Sequence, residues 1–135
     1  MKTLFTNARI LTMHDGPRFL NDNLLIEDDV ITYIGKETKE ADRVIDCHNQ
    51  ILMPGLKNAH THSAMVFLRG VGVGLPLEEW LAVVQPLEDA LTPDDVYRHT
   101  SQVIDEYLSC GTTAVFDYYW HAPAIIQAFV DRGFR

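Results

Sequence analysis

Apolar positions along the chain follow two different periods, and the change comes at Pro54-Gly55. Before it the runs are short and β-rich. Residues 3–12 mix Leu, Phe and Ile with polar positions and predict a strand. Asp15-Gly16-Pro17 supplies a turn. Asn23–Glu27 predicts a second strand, Asp28-Asp29 a tight turn, and Val30–Gly35 the return of a hairpin. Val44–Asp46 and Ile51–Met53 are further short strands around Cys47–Gln50. Turns recurring about every 8–12 residues suggest a small β-sandwich over residues 1–54.

After Gly55 strands alternate with helices. Leu56–Ala59 reads as a short strand, and Ser63–Gly70 as a short helix or ordered loop. Leu77–Val84 predicts a helix that Pro86 ends or kinks. The next helix is the clearest. Thr92 suits the N-cap, Pro93 the first turn, and Asp95 closes a capping box. Val96, Tyr97, Thr100, Val103, Ile104, Tyr107 and Leu108 then recur on one face, and Gly111 is the expected residue past the C-cap. Thr112–Tyr118 predicts a buried strand. Residues 123–132 predict a helix with Ile125, Ile126, Phe129 and Val130 on one side, ended by Gly133. Phe134-Arg135 would begin another strand. Such alternation is that of a parallel α/β sheet.

The 135 residues are 47% hydrophobic and 22% charged, ordinary for a globular chain. A net charge of −8 argues against a nucleic-acid partner, which calls for clustered Lys and Arg. Cys47 and Cys110 are too few for a disulfide framework and read as reduced thiols. No apolar run approaches the ~20 residues of a membrane span. A cytoplasmic protein without a membrane partner is the expectation.

The candidate chemistry lies where the period changes. His60 and His62 end the Leu56 strand one residue apart. Residues i and i+2 of a strand share a face, so both imidazoles aim at one point. Two neutral imidazoles about 2.0–2.1 Å from one ion make half of a tetrahedral zinc site. Ligands at the C-terminal end of a strand are also what a (β/α) barrel site requires. Imidazole suits zinc, iron, nickel and copper, so the pair does not select the metal.

The stretch Pro54-Gly55-Leu56-Lys57-Asn58-Ala59-His60-Thr61-His62-Ser63-Ala64-Met65, followed by Leu68-Arg69-Gly70, resembles the start of the barrel in the amidohydrolase superfamily. Leu75–Leu81 and Pro86-Leu87-Glu88 resemble the branch holding the S-adenosylhomocysteine/methylthioadenosine deaminases and the chlorohydrolases. The resemblance implies an α/β fold: the N-terminal part of a metal-dependent (β/α)₈ TIM barrel after a small all-β sandwich, both incomplete here. Residues 1–54 would be the incomplete β-domain and 55–135 the first βα units, since a whole barrel takes about 200 residues or more. The isolated 135 residues are expected to be poorly stable, because an open barrel exposes strand edges and apolar faces.

The resemblance also implies a divalent metal cofactor, zinc first and iron second, held in part by His60 and His62. An ion with an open position lowers the pKa of its water to about 7, which suits hydrolysis at an sp² carbon bearing an amino or halide group. The further ligands and the acid/base glutamate come from later strands of the family pattern, so no catalytic residue is assigned within these residues. Glu88 matches a glutamate that accepts ribose hydroxyls, although an acidic residue before the Thr92 helix also serves solvation. Trp80 would line the cavity or the core. His121, after the second barrel strand, would contact substrate or cap a loop. Asp117 suits packing or capping, and Arg69 an ion pair. Gly70–Gly74 reads as a mobile loop over the cavity; branch members often carry acidic residues there, which leaves the substrate open. His14, His48 and His99 show no constellation.

The implied activity is an aminohydrolase acting on a purine nucleoside such as S-adenosylhomocysteine or methylthioadenosine. A triazine-type chlorohydrolase and a guanine or cytosine deaminase are alternatives of the same kind. A non-catalytic fragment is the alternative of another class. The partner is a small-molecule substrate, and a homo-oligomer is one open state of the whole protein.

Overall fold

The computed structural model describes all residues, Met1–Arg135. They divide into two compact units, Met1–Pro54 and Gly55–Arg135. No helix is long and apolar enough to cross a membrane.

The first unit is one five-stranded sheet: β1 (Lys2–Thr12), β2 (Arg18–Glu27), β3 (Val30–Gly35), β4 (Arg43–Asp46) and β5 (Ile51–Leu52). The order is β3-β2-β1-β4, and β5 also pairs with β1. β1–β2 and β2–β3 are antiparallel, whereas β4 and β5 run parallel to β1. All five strands belong to one hydrogen-bonded sheet. β2 begins at Arg18, earlier than its apolar run suggests, because Leu11 and Ile10 of β1 hold Phe19 and Leu20 in register.

A bulge between Phe5 and Ala8 of β1 sets which residues share a face. Asn7 there has φ 52°, a left-handed value that Asn tolerates. One extra residue flips the parity of all that follows. Phe5, Ala8 and Ile10 therefore pack in one cluster with Leu24, Leu20, Ile26, Cys47 and Leu52. Leu4, opposite Leu25, is buried on the other face.

The second unit runs β6 (Leu56–Thr61), a 3₁₀ helix (Ser63–Leu68), α1 (Leu77–Asp89), α2 (Pro93–Ser109), β7 (Thr112–Asp117) and α3 (Ala122–Asp131). β6 and β7 pair in parallel. The capping box at Thr92 forms as expected: Asp95 N donates to Thr92 Oγ1 at 3.2 Å, and Thr92 N donates to Asp95 Oδ2 at 3.1 Å. Hydrogen bonding to Thr92 holds the Asp95 carboxyl below its ordinary pKa. Gly111, φ 77°, lets the chain leave α2 and enter β7. Ala64, Val96 and Ile125 form the core, with Leu91, Tyr119, Ala124 and Phe129 against it.

Three local expectations change. α1 passes through Pro86 to Asp89 rather than ending near Val84. Pro86 frees the carbonyl of Ala82, but both residues are exposed, which leaves that carbonyl open to solvent. β7 is only half-buried, and Phe116 is 71% exposed, because one face of this two-stranded sheet has little packed on it. The apolar side of α3 is split. Ile125 and Ala128 are buried toward α2, while Ile126 and Val130 are 60% and 67% exposed. Beyond Gly133 the expected strand is represented by one ladder contact, Val115 N donating to Arg135 O at 2.9 Å.

Candidate metal and substrate site

The C-terminal ends of β6 and β7 interlock. Tyr118 N donates to Thr61 O at 3.1 Å, and Ser63 N donates to Asp117 Oδ2 at 3.0 Å. The ladder between the strands is irregular from Asn58 to Thr61. There Asn58 Oδ1 accepts from His60 N at 3.2 Å, a local bond in place of a cross-strand one. Bulges of this kind re-aim side chains at strand ends.

His60 and His62 emerge side by side. Their ring centroids are 4.9 Å apart and the planes meet at 80°. Two imidazoles bound to one ion through nitrogens at 2.0–2.1 Å have centroids about 5 Å apart at a tetrahedral angle, so the spacing fits a shared ion. His62 Nδ1 lies in hydrogen-bond contact with the carbonyl of Tyr118. A carbonyl can only accept, so Nδ1 is the donor, and the neutral ring then has Nε2 as its acceptor. Metal-ligating histidines are commonly held in this way. No group of three His, Cys, Asp or Glu in the chain is placed to hold a metal. The residues present fit half of a metal site.

Behind the pair, Tyr107 of α2 brings its phenol oxygen 2.7 Å from Thr61 Oγ1 and 2.9 Å from Ser63 Oγ. Asp117 Oδ2 serves Ser63 N, the capping role expected of it, and Oδ1 is buried without a partner.

A cavity of about 340 Å³ opens beside His62. It is within the size range of small-ligand sites. Met65, Trp80, Glu88, Tyr118, Tyr119 and Trp120 complete its wall. The structure thus brings His62, Trp80 and Glu88 together, although 26 residues of sequence separate His62 from Glu88. Trp80 is half-buried against Gly72, part of the Gly70–Gly74 turn. Glu88 Oε1 accepts from Tyr119 OH at 2.7 Å. Burial, then that bond and the Glu88 charge, push the Tyr119 phenol well above its ordinary pKa.

His60 stands next to this wall rather than in it. His121 is not in it either. It is exposed, sits at the N-cap of α3 in a left-handed conformation (φ 55°, ψ 45°), and lines an adjoining depression with Glu88, Asp89, Leu91 and Trp120. Arg69 pairs with both carboxylate oxygens of Glu106 at 3.0 and 3.1 Å, the ion pair expected of it. His99 stacks on Phe67, while His14 and His48 each face one neighbouring aspartate.

The wall residues that sequence reasoning passed over are Met65, Tyr118, Tyr119 and Trp120. The run Tyr118-Tyr119-Trp120 directly after a strand was a usable signal, since barrel ligands sit beyond the strand C-termini.

The profile of the amidohydrolase family matches residues 51–135. A 5-methylthioadenosine/S-adenosylhomocysteine deaminase of Acetivibrio thermocellus is 40% identical over 144 residues, covering 100% of this chain and 33% of that protein. An adenosine deaminase from Xanthomonas campestris, solved with bound zinc, superposes with a TM-score of 0.92 at 30% identity, over 98% of this chain and 32% of that one. Triazine hydrolase from Arthobacter aurescens superposes with a TM-score of 0.88 at 26% identity, over 99% and 34%. This chain therefore spans about a third of the length of each. Its fold is α/β, an all-β sheet unit followed by the opening of a TIM barrel, with both parts incomplete. The chain belongs to the amidohydrolase family.

Proposed function

We propose that these residues supply the first two metal ligands and one wall of the substrate cavity of a metal-dependent aminohydrolase. Its substrate is a purine nucleoside of the S-adenosylhomocysteine or methylthioadenosine type. The observation that carries the reading is the His60–His62 pair standing at an aromatic cavity that also contains Glu88. His60 and His62 hold a divalent ion, zinc first and iron second. When bound, that ion supplies Lewis acidity and an activated water for hydrolysis at the carbon bearing the exocyclic amine.

The chain's own groups bind and orient. Trp80, Tyr119 and Trp120 offer flat apolar surface to a heterocycle. Glu88 has two oxygens and about four acceptor positions. Tyr119 occupies one, which leaves room for a pair of ribose hydroxyls. His121 belongs to the outer part of the site, toward the substituent that extends away from the base. The remaining ligands and the acid/base group come from outside these 135 residues, so the isolated chain is inactive.

The test uses the whole protein that carries this segment. Ammonia release should accompany the absorbance change of the adenine ring. It should stop on chelation and return with zinc. A whole protein without bound divalent ion, indifferent to chelators, would overturn the reading in favour of a non-catalytic chain. The likeness to triazine hydrolase favours a second reading, turnover of a bare halogenated or aminated ring. Glu88→Ala separates the two, because only a nucleoside has hydroxyls to lose.

A further inference from the structure

We propose that Tyr107 is a positioning residue for the metal pair, its phenol clamping the residues on either side of His62. The inference rests on the reading that His60 and His62 hold a divalent ion. Tyr107 lies in the last turns of α2, half-buried, with its ring stacked on Phe134 at 5.7 Å and 22°. Its oxygen reaches Thr61 Oγ1 at 2.7 Å and Ser63 Oγ at 2.9 Å. A phenol has one proton to give and lone pairs to accept with. The three hydroxyls therefore form a chain in which Tyr107 donates to at most one neighbour and accepts from at least one.

The geometry gives that chain a purpose. Thr61, the last residue of β6, lies between His60 and His62, so a bond from Tyr107 to its side chain holds the backbone from which both imidazoles stem. Residues 61–63 are also tied to the β7 side by Tyr118 N on Thr61 O and by Asp117 Oδ2 on Ser63 N. The His62 ring is held at Nδ1 by the Tyr118 carbonyl. With α2 on one side and β7 on the other, the His62 backbone and ring are both ordered before an ion arrives. Binding then loses less conformational entropy, which is the physical meaning of preorganisation. Tyr107 does not line the cavity, so its effect falls on the metal rather than on substrate contacts.

The experiment measures zinc affinity of the whole protein by competition with a chromophoric chelator, together with Tm of the metal-free and zinc-loaded forms. Tyr107→Phe keeps the ring and its stacking; Thr61→Val keeps the branched shape. Each removes a hydroxyl from the clamp and should weaken zinc binding about 10–100-fold, in the range seen for groups that orient metal ligands. The Tm rise on adding zinc should shrink in both variants. Tyr97→Phe serves as control, a phenol on the same helix bonded instead to Asp131 at 2.9 Å; its zinc affinity should match wild type. Zinc affinity within about twofold of wild type in both clamp variants, with a lower metal-free Tm, would make Tyr107 a packing residue and overturn the proposal. Should Tyr107→Phe fail to fold, Thr61→Val decides alone. His60→Ala and His62→Ala test the reading beneath it, since zinc binding untouched by either would remove the metal site itself.

Discussion

Tyr119 donates its phenolic proton to Oε1 of Glu88 at 2.7 Å, joining the loop after β7 to the last turn of α1. The bond fixes which way the carboxylate faces. It also needs a protonated phenol, and burial together with the neighbouring carboxylate keeps the proton on.

A phenol held protonated in the fold ionises more readily in the unfolded chain, where tyrosine titrates near about 10. The Tyr119 contribution is therefore complete below that value and is lost as pH rises beyond it. Phenolate absorbance of the whole protein, wild type minus Tyr119→Phe, should show one tyrosine titrating clearly above the ordinary range. A difference centred at the ordinary value would contradict the hydrogen bond.

The same variant tests the orientation of Glu88. Loss of a hydrogen bond to a charged group should raise KM for a nucleoside about tenfold. The kcat should change little, because Tyr119 touches the carboxylate and not the reacting carbon. A free base lacks the ribose diol, and its KM should be unaffected. Equal loss with both substrates would mean that Tyr119 shapes the cavity generally.

Gly72 fixes the seat of Trp80. Its φ is +65°, and a Cβ there would lie 2.8 Å from Trp80 Cδ1. Gly72→Ala should cost about 1–2 kcal/mol for the left-handed backbone alone, with a further loss from moving the indole. Gly74, φ +84°, has nothing within 4 Å of the same position. Gly74→Ala should show the backbone cost without a change in tryptophan fluorescence. Chemical denaturation and emission spectra of the pair separate the two effects.

Thr92→Ala removes the hydroxyl that accepts from Asp95 N. The expected loss is about 1 kcal/mol in chemical denaturation, while Thr92→Ser should retain most of the stability. A neutral Thr92→Ala would show that packing along Val96, Thr100 and Ile104 holds α2 without its cap.

How much was legible differs from element to element. α2 could be read nearly to the residue, because its cap, its first-turn proline and its terminal glycine are local signals. That His60 and His62 stand side by side could be expected from their spacing at a strand end, although the ladder there is irregular. The stripe on α3 had the right period, but half of it is exposed, since periodicity marks a face without saying how much of it is covered. Pro86 carries a local signal to end or kink a helix, yet α1 runs on to Asp89, because the carbonyl it frees is open to solvent.

By itself the sequence determined the elements: hairpins from turn residues, helices from spacing and caps, and a histidine pair from its spacing at a strand end. Those features depend on neighbours within about four residues, the reach of one helical turn or one strand repeat. Tertiary structure alone decided that Tyr107 meets Thr61 across 46 residues, that His62 meets Tyr118 across 56, and that Glu88 meets Tyr119 across 31. Contacts of that separation depend on the path of the whole chain, and a phenol carries no mark in the sequence of the partner it will find.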